Sequence, residues 1–194
     1  MHHFEQKENI LTAIITDKNK YPTEEVVIAA GAWSGQLAKQ LNIDVSLEAG
    51  KGYRIDVHRE TGIKIPAILM EAKVAVTPMK GFTRFAGTME LSGINTTIRK
   101  ERVNAIVKAA EAYYPGLKIT AAEKEAAASG MRPVSPDGLP YIGRPKAIKN
   151  LCFATGHAMM GWSLGPATGK LISEIILNKK PSMDLSPFDP NRKF

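Results

Sequence analysis

Two stretches that lie close together in the chain decide the fold: residues 130–143 read GMRPVSPDGLPYIG, and residues 156–166 read GHAMMGWSLGP. The prolines of the first stretch fix φ and restrict the residues before them, so Arg132 sits on a backbone with little freedom. The second stretch is a glycine-rich loop that runs into an apolar helix predicted over residues 171–177. A helix N-terminus presents free N–H groups and a partial positive charge. We therefore expect a carboxylate to bind here beside an electron-rich cofactor.

The composition points to a folded protein that attracts small anions. The chain has 194 residues, enough for one large domain or two small ones, and 44% of them are hydrophobic. The formal net charge is +7. The lysines and arginines are scattered, without a dense basic run or interleaved aromatic residues, which argues against nucleic-acid binding. Attraction of small anionic ligands is the better use of this charge.

The cysteine count and the N-terminus bound the class of protein further. Cys152 is the only cysteine, which excludes a disulfide framework and a thiolate metal cluster; we expect a buried apolar residue. The pair His2–His3 is expected to be inert, and no metal site is predicted. The N-terminus is too polar for a signal peptide, and no apolar run approaches the ~20 residues of a membrane-spanning helix. These features predict a cytoplasmic protein, with a peripheral contact to the inner membrane left open.

The remaining pattern predicts a mixed α/β (α+β) fold of two parts. Residues 10–16, 25–30 and 151–155 are predicted strands, the last two buried on both faces, and Ser34 is expected to cap a helix over residues 36–41. Short alternating runs between residues 45 and 88 favour an antiparallel sheet. A helix opening at Thr96 or Thr97 follows, with a solvated charged face, and residues 123–129 are ambiguous. We expect the first part to hold residues 1–46 with 128–194, and the second residues 47–127.

Four motifs, in this order, resemble the FAD-dependent D-amino-acid oxidoreductases, the family of D-amino-acid dehydrogenase, D-amino-acid oxidase and glycine/sarcosine oxidase. They are VVIAAGAWS at residues 26–34, GKGY at 50–53, GMRP with PDG at 130–138, and TGH with GW at 155–162. The resemblance implies a partial FAD-binding Rossmann-type domain and an antiparallel-sheet substrate domain. It implies a flavoprotein of amino-acid catabolism that oxidises the C–N bond of a D-amino acid by hydride transfer to FAD, most like D-amino acid dehydrogenase.

The same resemblance implies the site residues. Arg132 would hold the substrate carboxylate through its planar guanidinium, and Tyr53 would line the substrate pocket. No residue is assigned a catalytic role, because the hydride transfer belongs to the cofactor. The residues expected to contact the cofactor are Ala30, Gly31, Trp33, Gly130, Gly156, His157, Met159, Met160, Gly161, Trp162 and Ser163.

Other roles for these residues stay open. Arg132 would otherwise tie the Asp137 turn together, and the glycine loop would be structural. His157 is equally a hydrogen-bonded structural histidine or a group that contacts the flavin or acts as a base. Trp33 would otherwise be a core residue.

Two departures from the family pattern stand out. The Gly-x-Gly-x-x-Gly loop that grips the ADP half of FAD does not occur in this chain. The chain therefore resembles the C-terminal half of such an enzyme, and we expect FAD to be absent from it alone. Ala158 replaces a glycine that often follows the histidine. The alternatives are a glycine/sarcosine oxidase type, or an inactive truncated fragment or subunit that needs a partner to bind FAD.

Overall fold

The computed structural model describes residues 3–194, which form two compact units. The first unit contains the chain up to Ala49 together with Arg132–Phe194, and the second is Gly50–Met131. These bounds differ by a few residues from the sequence-based division at 46/47 and 127/128. His3 begins the first strand. His2, the other histidine of the pair predicted to be inert, lies outside the described residues.

The first unit contains two three-stranded sheets. Strands β1 (His3–Lys7), β2 (Ile10–Ile15) and β3 (Lys20–Pro22) form an antiparallel meander. The second sheet has the order β10-β11-β4, from β4 (Val26–Ile28), β10 (Tyr141–Gly143) and β11 (Leu151–Thr155). Strand β11 runs parallel to β4 and antiparallel to β10. The parallel pair places the carboxyl ends of β4 and β11 at the same edge of the sheet.

Strand β4 differs from its prediction as a strand buried on both faces. Val26 and Ile28 are buried, but Val27 is 39% exposed. Val27 lies beside Cys152 in the parallel register, and Cys152 is covered by Leu171 and Ile172 of the last helix. That helix packs on β10 and β11, so the same face of the sheet is left uncovered at β4. Cys152 itself is buried and free, as predicted.

Helix α1 (Ser34–Lys39) follows a 3-10 turn (Gly31–Trp33), and Ser34 does not cap it as predicted. The N-cap position is Trp33, whose side chain makes no capping hydrogen bond. Ser34 is instead fully buried in the first turn, and its hydroxyl donates to Thr155 Oγ1 at 3.1 Å. The Ser34 hydroxyl therefore bonds to a residue that is distant in sequence and does not cap the helix in the way that the local pattern predicts.

Helix α4 (Gly161–Ile176) begins ten residues before the prediction of 171–177. The glycine-rich residues 161–169 are helical, and Pro166 lies inside the helix. Leu171 and Ile172 anchor the second half against the sheet. Tertiary packing therefore overrides the low helix propensity of glycine and proline in the first half.

The second unit is built on one five-stranded sheet of order β6-β7-β8-β5-β9. The strands are β5 (Glu48–Val57), β6 (Ala67–Leu69), β7 (Val74–Met79), β8 (Phe82–Leu91) and β9 (Ala128–Val134), and β5 and β9 extend past the bounds of the unit. Pairing of β5 with β8, β6 with β7 and β7 with β8 is antiparallel, as predicted. One face of the sheet packs Ile55, Phe85 and Val76 against Ile106 of helix α2 (Lys100–Tyr113).

Two predictions in the second unit need correction. Helix α2 begins at Lys100, not at Thr96 or Thr97, because the Thr97 carbonyl accepts a hydrogen bond from Lys51 Nζ at 3.0 Å and holds that segment as a loop. The ambiguous segment 123–129 contains the end of a short helix, α3 (Ala121–Glu125), followed by β9. Thr120 and Glu123 form a capping box at the start of α3.

Lys51 and Glu90 form a buried ion pair in the second unit. Lys51 Nζ lies 3.2 Å from Glu90 Oε1 and donates to Asn95 Oδ1 at 2.6 Å. Tyr53 donates its hydroxyl hydrogen to Glu90 Oε2 at 2.7 Å. Arg99, at the start of the face predicted to be solvated, also lies 3.2 Å from the Glu90 carboxylate. This network ties the loop before α2 to β5.

No helix in residues 3–194 combines the length and the apolar character needed to span a membrane. Within the same residues, no group of three or more acidic, histidine or cysteine side chains is arranged to hold a metal ion.

The Glu90 carboxylate predicts an acid-sensitive second unit. Hydrogen bonds from Ser92 and Tyr53 lower the pKa of Glu90 from 4.5 to about 2. A depressed folded-state pKa contributes stability that is present above pH 4.5 and lost as the pH falls toward 2. In urea titrations, the free energy of unfolding of the native chain should be lower at pH 3 than at pH 7. This difference should be smaller in Glu90→Gln. Glu60→Gln, at an exposed loop position, should keep the native profile. Equal losses in all three proteins would contradict the assignment.

Candidate functional site

The candidate site lies at the carboxyl ends of the parallel strands β4 and β11. Ala30 and Gly31 follow β4, and Gly156 and His157 follow β11. In open α/β sheets, ligands bind outside the carboxyl ends of the strands. The structure therefore brings together two groups of predicted cofactor residues that are separated by more than a hundred positions in the chain.

Thr155 joins these two strand ends. Its hydroxyl donates to the Gly31 carbonyl at 3.1 Å and accepts from the Ser34 hydroxyl at 3.1 Å. Thr155 and Ser34 are both buried, so these hydrogen bonds are shielded from water. Gly31 takes a positive φ of 56°, and a Cβ added to it would meet no atom within 4 Å. The turn after β4 is thus fixed on its inner side and open on its outer side.

A second set of backbone contacts holds the residues after β11 next to the end of β9. Ala158 N donates to the Pro133 carbonyl at 2.9 Å, and Val134 forms an antiparallel bridge with His157. Met160 N then donates to the His157 carbonyl at 2.9 Å. Arg132 therefore precedes a residue whose backbone is bonded directly to the segment that leads into α4.

Helix α4 opens toward this segment with free donors. Leu164 N donates to the Met160 carbonyl at 2.9 Å, which makes it the first N–H of the regular helical pattern. The N–H groups of Gly161, Trp162 and Ser163 come before it and have no acceptor within the helix. Three N–H donors and the positive end of a sixteen-residue helix form a site suited to negative charge.

Arg132 is half-buried on β9 and has no acidic partner. Burial lowers the pKa of its guanidinium, and no carboxylate among residues 3–194 offsets that burial. A partly desolvated guanidinium without an anion favours a ligand that brings one. The side chain is therefore available for a carboxylate.

The Asp137 turn is held by a different arginine. Arg192 Nε lies 2.9 Å from Asp137 Oδ2, and Arg192 also donates to the Leu139 carbonyl at 2.7 Å. Its guanidinium lies 3.9 Å from the centre of the Tyr141 ring. The structural role considered for Arg132 from the sequence belongs to Arg192.

His157 has a structural hydrogen bond. Its Nε2 lies 2.8 Å from Oγ1 of Thr168, a buried residue of α4. Burial also lowers the pKa of His157, so the ring is neutral near pH 7. This contact orients the ring toward α4 and supports the structural role; contact with a flavin stays a prediction.

Large apolar side chains are exposed in the segment that leads into α4 and in the turn after β4. Trp162 is 97% exposed and Met159 is 73% exposed, and Met160 and Trp33 are each about half exposed. The sequence left open whether Trp33 is a core residue, and its exposure shows that it is not. Clustered exposed apolar groups of this size mark surfaces that are covered by a ligand or a partner.

Tyr53 and Gly130 belong to the second unit. Tyr53 is 1% exposed and its hydroxyl is bonded to Glu90, so its interactions are satisfied inside that unit. Gly130 is exposed on β9, and a Cβ added there would meet no atom within 4 Å. Arg132 rather than Tyr53 therefore supports a substrate site.

Sequence reasoning missed three residues that hold the site together: Thr155, Thr168 and Arg192. Thr155 lies within a recognised motif, but its role depends on Ser34, more than a hundred residues away. Arg192 lies in the C-terminal segment, where residues 189–192 read DPNR and no local pattern indicates its partner.

Comparison with known proteins identifies the group to which these features belong. The family model described as DAO, FAD dependent oxidoreductase, matches residues 2–175. The chain is 32% identical to a D-amino acid dehydrogenase of Granulibacter bethesdensis, and the match covers 95% of this chain and 44% of that protein. It is 31% identical to a D-amino-acid oxidase of Bradyrhizobium diazoefficiens, with the same coverage. The chain thus spans somewhat under half the length of these relatives.

Two solved structures show the same fold. Glycine oxidase from Geobacillus kaustophilus has a TM-score of 0.79 at 25% identity, over 95% of this chain and 49% of that one. L-Proline dehydrogenase from P. horikoshii has a TM-score of 0.83 at 20% identity, over 97% of this chain and 52% of that one. The predicted α+β fold class and family resemblance are confirmed.

Ala158 gives a direct test of the backbone at the site. It takes a φ of +48°, a left-handed conformation that costs an L-residue about 1–2 kcal/mol. Glycine removes that cost but loses about 0.4–1 kcal/mol through the unfolded chain. We expect Ala158→Gly to raise the free energy of unfolding by about 0.5–1 kcal/mol in urea titrations. The control Ala167→Gly, at an exposed position of α4, should lower it by a similar amount. A loss of stability in Ala158→Gly would refute the strain.

Proposed function

Since this chain belongs to the DAO family of FAD dependent oxidoreductases, we propose that it provides the amino-acid-binding part of a flavoenzyme that oxidises the C–N bond of a D-amino acid. The product is an imino acid, which water hydrolyses to the keto acid. The observation that carries this proposal is the half-buried Arg132 guanidinium, which has no acidic partner in the described part of the chain. Its backbone neighbour Pro133 is bonded to the segment that enters α4.

Arg132 is the proposed anchor for the substrate. A guanidinium donates two parallel hydrogen bonds to a carboxylate, which fixes the position and the orientation of the amino acid. Because Pro133 follows Arg132 and its carbonyl is bonded to Ala158 N, the backbone at the anchor is held relative to the helix mouth. Fixed orientation of the α-carbon is the main contribution that such a protein makes to hydride transfer.

The mouth of α4 is the proposed site for the flavin ring. The chemistry that FAD would supply there is acceptance of a hydride, the α-hydrogen of the substrate with its two electrons. The free N–H groups of Gly161, Trp162 and Ser163 would hold the ring at this end of the helix and would donate hydrogen bonds to negative charge on it. The open turn at Gly31 and the exposed Met159 and Met160 leave room and apolar surface for a flat ring.

The residues present fit the ring of FAD but not its dinucleotide half. No Gly-x-Gly-x-x-Gly sequence occurs in the chain. Strand β4 is the last strand of its sheet, and Val27 on its uncovered face is 39% exposed. We propose that a further segment or partner chain adds a strand beside β4, covers this face and supplies the dinucleotide loop.

The substrate class follows the relatives named above. We propose a D-amino acid dehydrogenase, with a glycine or sarcosine oxidase type, which uses O₂ directly, as the alternative. We place the enzyme in the cytoplasm. A dehydrogenase that passes its electrons to a membrane quinone would also need peripheral contact with the inner membrane, and we include that contact in the proposal.

The chain alone should not bind FAD, because it lacks half of the cofactor's contacts. Trp33→Phe leaves Trp162 as the sole indole, and its exposure predicts red-shifted emission that acrylamide quenches readily. Titration with FAD should give no saturable quenching beyond that of free N-acetyltryptophanamide. Addition of the complementing segment with FAD should shift the emission to shorter wavelength. Stoichiometric yellow flavin on the chain alone would overturn this expectation.

Arg132 should control substrate affinity in the flavin-loaded enzyme formed with that segment. Arg132→Ala removes a bidentate, charge-assisted pair and should raise KM about 100-fold with flavin content unchanged. Arg132→Lys should raise KM less, because one charged donor remains.

Arg144→Ala is the matched control for the Arg132 series. Arg144 forms a bidentate pair with Glu25 at 2.8 and 2.9 Å, so its loss should lower stability and leave KM unchanged. Flavin lost in Arg132→Ala, or an unchanged KM, would assign Arg132 a structural role instead.

A further inference from the structure

An exposed apolar segment lies at one edge of the sheet in the second unit. Ile65, Ile68 and Met70 are 78%, 68% and 61% exposed. Strand β6, which contains Ile68, is the last strand of the sheet and pairs with β7 alone among the described strands. An unpaired edge with apolar side chains is a template for pairing with another chain.

The direction of the backbone groups in β6 follows from its neighbours. Thr88 N donates to the Lys73 carbonyl at 3.3 Å, so that carbonyl points toward β8. In a trans peptide the N–H of the next residue points the opposite way, and Val74 N–H therefore points toward β6. Val74 faces Leu69, and Val76 faces Ala67. Because antiparallel pairs alternate, Leu69 and Ala67 bond to β7, and the N–H and C=O of Ile68 point outward.

The outward groups of this edge match those of a second, antiparallel copy of the same edge. With Ile68 opposite Ile68 of the other copy, each Ile68 donates to and accepts from its equivalent. Met70 N–H then faces the Pro66 carbonyl of the other copy. Pro66 has no N–H to donate to the Met70 carbonyl of the other copy. That carbonyl needs no further donor, because it already accepts from Lys73 N of its own chain at 3.4 Å. The pairing is therefore self-complementary around a two-fold axis.

Charge and packing agree with this register. Lys64 lies before β6 and Glu71 lies after it, so antiparallel pairing places Lys64 of one copy at the same end as Glu71 of the other. Ile68 points away from the face that buries Leu69 and Val76 against α2. Two Ile68 side chains would thus cover each other without a change in the core. A lipid surface would leave the outward N–H and C=O of Ile68 without partners.

We propose that β6 is a docking edge for β6 of a second copy of this chain, which makes the two sheets continuous across a two-fold axis. This inference does not depend on the proposed enzymatic function. It identifies the interaction surface and its occupant, and it predicts a dimer of the 21.1 kDa chain.

A pair of cysteine variants tests the register. Cys152 is buried, so an introduced surface cysteine is the reactive one. In the proposed pairing the Cα atoms at position 68 are about 5.5 Å apart, within disulfide range, whereas those at position 65 are about 20 Å apart. Ile68→Cys should form a covalent dimer under mild oxidation. Ile65→Cys, at the more exposed position, should form little or none. Equal cross-linking, or none in either variant, would overturn the proposal.

A charge exchange tests the occupant. By sedimentation velocity, the native chain should be dimeric at micromolar concentration, and Ile68→Glu and Ile68→Lys should each be monomeric with native circular dichroism. An equimolar mixture of the two variants should restore the dimer. A native monomer that binds vesicles with anionic lipids, and loses that binding in Ile68→Glu, would favour a membrane surface and refute the self-pairing. A native monomer without vesicle binding would also refute the self-pairing. It would show that the short strand and Pro66 protect this edge from pairing with another chain.

Discussion

The hydroxyl of Thr155 is the contact on which the candidate site depends. This hydroxyl donates a hydrogen bond to the Gly31 carbonyl and accepts one from the Ser34 hydroxyl. The two bonds together hold the turn after β4 at the end of β11. Without that contact, the turn after β4 would be held next to β11 mainly by the parallel pairing of two short strands. Because both hydroxyls are buried, loss of the Thr155 hydroxyl would leave the Ser34 hydroxyl without its acceptor and the Gly31 carbonyl without this donor. The rest of the site is built outward from this fixed corner.

Three arginines illustrate how the chain divides its charge. Arg144 is paired with Glu25, and Arg192 is paired with Asp137. Of the three, Arg132 has no carboxylate partner among residues 3–194, although it is half-buried. Such a group does not stabilise the fold, because partial desolvation disfavours its charge and no anion offsets that cost. Its presence is understandable if a ligand supplies the missing anion.

The sequence predicted elements whose signal is local, and it failed where packing decides. The antiparallel sheet of the second unit followed from alternating residues in β5, β7 and β8. Ser34 was assigned to a helix cap because the partner that claims it, Thr155, is distant in sequence. Helix α4 was predicted short because glycine and proline weigh against helix locally, while Leu171 and Ile172 hold the whole element on the sheet. Family motifs implied the candidate site residues, but only the structure shows that Arg192, and not Arg132, holds the Asp137 turn.

The composition of α4 has a consequence for how its open end behaves. Gly161, Gly165, Pro166 and Gly169 all lie in its first nine residues, whereas the side chains that pack on the sheet come later. The first turns therefore have weak intrinsic preference for helix and little buried area to hold them, which places them at the low end of local stability. Amide hydrogens there should exchange sooner than those of the second half. A cofactor that binds this end would order it, and part of its binding free energy would be spent on that ordering.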